Sequence, residues 1–153
     1  MDSTQVIEET RDLATLARMA YKAGQESADK VTRQMVKGWI AARDGKTIGG
    51  LGLFKWNNEF TLDYLFDTSG GSCSITSQKL ILVAIDYIRR RGWKRVYFIK
   101  GPENYQFFID KMGFRHIPLN RLPKDYFYYT RDTCSKCKYY KKTCVPYALE
   151  KTL

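Results

Sequence analysis

Three groups of residues in this 153-residue chain are of types and at spacings that can do chemistry. The first is a set of thiols. Cys134-Ser135-Lys136-Cys137 forms a C-x-x-C pair, and Cys144 follows after six residues. Two thiolates at that spacing grip one metal ion through a tight knuckle, and a third strengthens the hold. A tetrahedral site needs a fourth ligand, for which Cys73 and His116 are the candidates. The alternative is a basic, tyrosine-rich tail with incidental thiols. The second group is Glu59, Asp63 and Asp67, on or near one apolar stretch. At a period of two, Asp63 and Asp67 share a strand face, and any of the three could take a proton from an ammonium group. Each alone also reads as a surface carboxylate. The third is a Ser- and Gly-rich run, Thr68 to Ser77, directly ahead of the strongest helical pattern. Backbone amides at a helix start are a ready anion site. His116 is the one histidine, and no Ser-His-Asp machinery is read around it.

The elements around these groups must position them. Gln5 to Glu9 reads as a short strand, and Thr10 as the cap of a helix in which Leu13, Leu16, Ala17 and Ala20 recur up to Gly24. A second helix is predicted over Ser27 to Lys37. Trp39 to Ala42, Thr47 to Trp56 and Phe60 to Asp67 then form a meander, turned at Asp44-Gly45 and at Asn57-Asn58. The clearest helix runs from about Ile75 to Arg91. Leu80, Ile81, Val83, Ala84, Tyr87 and Ile88 give it an apolar face, three arginines suit its C-terminal dipole, and Gly92 stops it. Val96 to Ile99 is a short buried strand, and Glu103 to Met112 a helix ended by Gly113. Phe114 to Leu119 and Tyr126 to Thr130 read as a final strand pair joined by a proline-containing loop. The order β-α-α-β-β-β-α-β-α-β-β predicts one α/β domain, a mixed, mostly antiparallel sheet with helices on both faces. Residues 132–153 form a cysteine-bearing tail packed on it.

Lysine and arginine number 26 against 16 acids, a formal charge of +10. Such a charge attracts polyanions at long range, so nucleic acid, an anionic surface or a phosphorylated cofactor are candidate partners, beside a merely soluble basic surface. The cations gather at Arg89-Arg90-Arg91, at Lys94-Arg95 and from Lys136 to Lys142. In the tail, Tyr139 and Tyr140 interleave with lysines, a pattern that can stack bases and contact phosphates. No apolar run is long enough to cross a bilayer, and Met1-Asp2-Ser3-Thr4 lacks a signal-peptide pattern, which points to the cytoplasm and to metal or redox chemistry rather than disulfides.

Two stretches carry a family resemblance. Ile81 to Gly92 followed by Val96 to Ile99, and Asn104-Tyr105-Gln106-Phe107-Phe108-Ile109-Asp110-Lys111-Met112-Gly113-Phe114, are similar to the central helix and the "N…FYxKxGF" segment of the GNAT N-acetyltransferases. The likeness in element order spans most of residues 5 to 131. It implies a domain over residues 1–131 and an acetyl-CoA-dependent N-acetyltransferase acting on an unidentified amine. The pantetheine arm would enter between the splayed strands that flank the central helix. The resemblance places the cofactor at Phe66, Ser72, Cys73, Ser74, Ile75, Thr76, Ser77, Asn104 and Phe108. The family's Arg/Gln-x-x-Gly-x-Gly/Ala loop falls on Ser72 to Ser77 without its glycines, and the frequent general-acid tyrosine falls on Ile109. Tyr105, one turn earlier, could offer a hydroxyl, and Asp63 is carried forward as the base. The family's final strands form an antiparallel hairpin. That hairpin would bring His116 near Cys134 and leave Cys73 nearer the opposite edge, so zinc on Cys134, Cys137, Cys144 and His116 is preferred over an iron–sulfur cluster using Cys73. A nucleic-acid-binding or -modifying protein, or a silent binding module, on the same fold are the alternatives.

Overall fold

The computed structural model describes residues 5–23, 33–68, 74–101, 104–136 and 146–153, except the side chains of 133–136. Its core is a seven-stranded sheet in the order β1-β2-β3-β4-β5-β7-β6. The strands are β1 (Val6–Thr10), β2 (Met35–Arg43), β3 (Lys46–Trp56), β4 (Glu59–Asp67), β5 (Arg95–Lys100), β6 (Arg115–Ile117) and β7 (Tyr147–Thr152). All neighbours run antiparallel except β4 and β5. Helices α2 (Ile75–Arg90) and α3 (Tyr105–Met112) cover one face, packing Leu80, Ile81, Ala84, Ile88 and Phe108 against Leu51, Leu62, Val96 and Phe98. Helices α1 (Leu13–Lys22) and α4 (Lys124–Lys136) cover the other, where Leu16, Ala20 and Tyr126 meet Phe54, Tyr64, Phe66 and Tyr97. No described helix is long and apolar enough to cross a membrane.

Local chemistry sets the joints. Asp44 and Gly45 have φ of 52° and 76°, and Asn57 and Asn58 have φ of 50° and 63°, so both hairpins turn through paired left-handed residues. Gly113, at φ 77°, ends α3, and the Phe114 N–H returns 3.0 Å to the Phe108 carbonyl. Asp12, not the expected Thr10, caps α1: its carboxylate accepts from the Thr15 amide at 3.0 Å and the Thr15 hydroxyl at 2.6 Å. Those bonds hold its pKa below the usual value.

Three expectations are corrected. Met35, Val36 and Lys37 are not the end of a helix but the start of β2, in which Met35 pairs with Phe54; residues 27–32 lie outside the described part. Tyr126–Thr130 is not a strand but lies in α4. The aromatic run favours strand by propensity, yet Tyr126 and Tyr129, three apart on a helix, both reach the Trp56 ring, at 5.7 and 5.2 Å. Asn57 fastens the start of that helix, accepting from the Asp125 amide at 2.8 Å. The last strand is instead β7, inside the stretch expected as a tail. It lies between β5 and β6, pairing Tyr97 with Glu150 and His116 with Leu149. Glu150 is 1% exposed and takes the Arg115 guanidinium. On β5, burial and the charges of Glu59 and Glu150 push the Tyr97 phenol upward.

Candidate functional site

The parallel pair β4–β5 is bonded at only three positions, Phe60↔Val96, Thr61↔Tyr97 and Leu62↔Phe98. Both strands continue upward, to Asp67 and to Lys100, without pairing to each other. The cause lies in β4. Between the pairs Gly50↔Phe66 and Gly52↔Asp63, β3 spends one residue and β4 spends two. The extra residue is a bulge at Tyr64, whose φ of 59° is rare for a bulky side chain. Such a conformation costs on the order of 1–3 kcal/mol and persists only where packing enforces it. Packing does so here: Tyr64 is fully buried and sets its ring edge-on to Phe54, with centroids 5.0 Å apart. Gly49 lets β4 approach closely, since a Cβ there would lie 2.8 Å from the Phe66 carbonyl oxygen.

The bulge also sorts the three carboxylates. Asp63 is opposite Gly52 and Asp67 opposite Gly49, three residues apart on β3, so the two aspartates lie on opposite faces. The shared face expected from simple alternation is therefore corrected. Glu59 is engaged with Arg95 at 3.4 Å. Asp67 accepts a short hydrogen bond from the Ser74 hydroxyl. Asp63 stands where the strands part, on the α1 side, its Oδ1 accepting from the Tyr64 amide at 2.8 Å. Part of the residue meets solvent, but desolvation outweighs that hydrogen bond and the nearby Lys100 charge, and the carboxyl is held above its ordinary pKa. A carboxyl shifted towards neutrality is suited to exchange protons.

Lys100 ends β5 on the other lip and lies on the α2–α3 face of the sheet, opposite to the face of Asp63. It is 9% exposed, with Nζ 5.0 Å above the Phe98 ring and 5.4 Å above the Phe108 ring. Lys100 is hard to recognise in the sequence, because a lysine ending an apolar strand looks like a boundary. The recoverable signal was its parity with Val96 and Phe98. On the α1 side a cleft of about 220 Å³ is lined by Met19, Lys22, Ala23, Thr47, Phe66 and Thr68.

The remaining expected residues divide. Ser74 caps α2 by accepting from the Ser77 amide at 3.1 Å, and Ser77 is buried. Thr76 Oγ1 accepts from Gln5 Nε2 at 2.6 Å. Ile75 is 68% exposed. Ser72 and Cys73 lie outside the described residues. Phe66 packs beneath α1. Phe108 is core, edge-on to Phe98 at 5.3 Å. Asn104 precedes α3 without a side-chain cap bond, and Tyr105 opens that helix, stacked 4.1 Å from Tyr147. His116 lies edge-on to the same Tyr147 at 5.3 Å. The hairpin expected to carry it towards Cys134 does not exist, since β6 pairs with β7. Cys134 falls in the last turn of α4, and Cys137 and Cys144 lie outside the described residues. Among the described residues no group of three or more His, Cys, Asp or Glu could hold a metal.

Solved structures share this architecture. A GNAT-family acetyltransferase from Elizabethkingia anophelis with acetyl-CoA bound superposes with a TM-score of 0.73 at 14% identity, covering 99% of this chain and 100% of that one. The chain has the GNAT N-acetyltransferase fold. A GNAT-family acetyltransferase from Staphylococcus aureus matches at TM-score 0.68 and 17% identity, over 98% of this chain and 99% of its own. N-acetylglutamate synthase from Neisseria gonorrhoeae, complexed with coenzyme A and N-acetyl-glutamate, matches at 0.66 and 16%; this GNAT-fold chain spans 36% of that protein's length. No protein-family profile matches the sequence, and no curated protein matches it significantly.

Proposed function

We propose that this chain transfers an acetyl group from acetyl-CoA to an amine. The observation that carries the reading is the parting of β4 and β5 immediately above Leu62 and Phe98, enforced by the Tyr64 bulge. An extended pantetheine arm fits between two strands that no longer bond each other, offering its amides to their edges. The solved relatives with acetyl-CoA or coenzyme A bound support the choice of donor.

The two lips suit the two halves of the reaction. An amine reaches Asp63 from the α1 side, where Asp63 stands opposite Gly52. Its proton passes to the Asp63 carboxylate as nitrogen attacks the thioester carbon. A C–N bond forms, the C–S bond breaks, and the thiolate departs on the β5 side, where the Lys100 ammonium offsets its charge. Tyr105 supports the mouth through its stack on Tyr147. Thiol release from acetyl-CoA, followed against a panel of small amines, tests the reading. Turnover with at least one amine, lost in Asp63→Asn, is expected; no binding of acetyl-CoA at millimolar concentration would remove it.

A second reading has its own observation. Where α2 ends, Lys37 and Arg91 flank the Tyr87 ring at 4.7 and 3.7 Å, and Lys55 lies 5.3 Å from the Trp93 ring. With the exposed Arg89 and Lys94 this makes a cationic surface that fits a nucleic-acid backbone. Elution from a polyanion column that is unmoved by Arg89→Glu with Lys94→Glu would dismiss it. Zinc on Cys134, Cys137 and Cys144 is a proposal from their spacing; the hairpin that was to add His116 is absent, and elemental analysis of the purified protein decides it.

A further inference from the structure

We propose that the outward face of α2 joins the same face of a second copy of this chain, the two helices running antiparallel about a two-fold axis between Leu82 and Val83. The pairing does not depend on acyl transfer.

Towards the sheet, α2 buries Leu80, Ile81, Ala84, Ile85 and Ile88. The opposite side of such a helix is ordinarily polar. Here Ile75 is 68% exposed, Leu82 55% and Val83 37%. With Lys79, Asp86 and Arg90 they make one stripe. The steps from Ile75 to Lys79, Leu82 and Asp86 are four, three and four residues, which return to the same side of a helix. Those are the steps of a seam between two packed helices.

The charges along the stripe say what covers it. About a two-fold axis between Leu82 and Val83, Leu82 meets the partner's Val83 and Lys79 meets the partner's Asp86. Symmetry makes that ion pair twice. Ile75 meets the partner's Arg90, whose aliphatic stem can lie on it while the guanidinium stays in water. A parallel pair would set lysine on lysine and aspartate on aspartate, so the charges also choose the direction. Within the chain, Arg90 Nε binds Asp86 Oδ2 at 2.9 Å, and the Asp86 side chain is 50% exposed, so its carboxylate can accept from a partner's lysine as well. The contact is one helix of 16 residues, about 24 Å long, a small interface that fits a reversible dimer.

Sedimentation of the full chain tests the pairing. At about 0.15 M salt the repulsion between two copies of charge +10 is screened beyond about 8 Å. The natural chain is expected to pass from one copy to two between about 1 µM and about 100 µM. Leu82→Glu, at an exposed position, is expected to stay single throughout with its melting temperature unchanged. Lys79→Glu and Asp86→Lys each oppose like charges and are expected to weaken association by about tenfold. The double exchange, Lys79→Glu with Asp86→Lys, restores it to within about threefold of the natural chain. The contact of Asp86 with Arg90 is lost from single copies and dimers alike, so it leaves that comparison untouched. A natural chain that stays single at the highest concentration overturns the proposal. So does a dimer indifferent to Leu82→Glu, or a double exchange that fails to restore association.

Discussion

The lower and upper halves of the β4–β5 pair are made of one continuous pair of strands and behave as two materials. Below, Phe60 and Leu62 face Val96 and Phe98 in a bonded, apolar ladder roofed by α2. Above, after one extra residue, the same strands carry Asp63 and Lys100 on unbonded lips. The lower half is built for stability and holds no titratable group among those four. The upper half holds a strained tyrosine, a carboxyl raised by burial and a nearly buried ammonium. Such groups are unfavourable to folding and are useful to chemistry. The ladder below is what makes the opening above affordable.

The largest expected effect separates the halves by removing the base. Asp63→Asn should lower kcat/KM by about a thousandfold, within the range of general-base losses, while raising the melting temperature at neutral pH. The sign follows from the shift. Burial raises the Asp63 carboxyl in the folded state above its ordinary value, so the folded protein holds the proton more tightly than the unfolded chain. The associated stability is fully present below the unfolded value and is lost as pH rises through the folded one. Thermal melts of both proteins across acid to neutral pH should therefore converge towards low pH and diverge above it. In the ladder, Leu62→Ala should do the reverse. It should cost about 3 kcal/mol of unfolding free energy, as deletion of a fully buried leucine does, with kcat per folded molecule little changed; denaturant titration beside active-site counting checks it. If it abolished turnover without loss of stability, the two halves would not be separable.

Smaller effects sharpen the contrast. Gly49→Ala should cost about 1–3 kcal/mol through overpacking against the Phe66 carbonyl, and urea midpoints measure it. Lys100→Met should slow turnover by about tenfold, as loss of one charged group at a developing thiolate does. It should also move the acid limb of the pH–rate profile to higher pH, because the Lys100 charge is one of the influences holding Asp63 down. An unmoved limb would place Lys100 outside the site.

What the sequence made legible follows the same division. Gly45, Asn57, Asn58 and Gly113 announce their turns because few residues accept positive φ, and α2 announces itself by period. The parting of β4 from β5 was expected from the family likeness, but its cause was not readable. A tyrosine at φ 59° has no composition signal, since tertiary packing alone holds it there. Simple alternation then assigned Asp63 and Asp67 to one face, when the bulge sets them on two. The aromatic run at Tyr126 to Tyr129 spoke for strand while its burial against Trp56 required helix. β7 was missed because Glu150 looks like a solvent residue, although Arg115 and the Tyr97 side satisfy it in the interior. Lys100 was missed for a like reason.

β7 has a consequence for how the molecule is made. During synthesis, β6 emerges some thirty residues before the strand it must pair with, and the inner edge of β5 waits longer still, since β5 ends at Lys100 and β7 begins at Tyr147. The half of the sheet beyond β5 can therefore close only after residue 152 has left the ribosome, leaving two bare strand edges exposed until then.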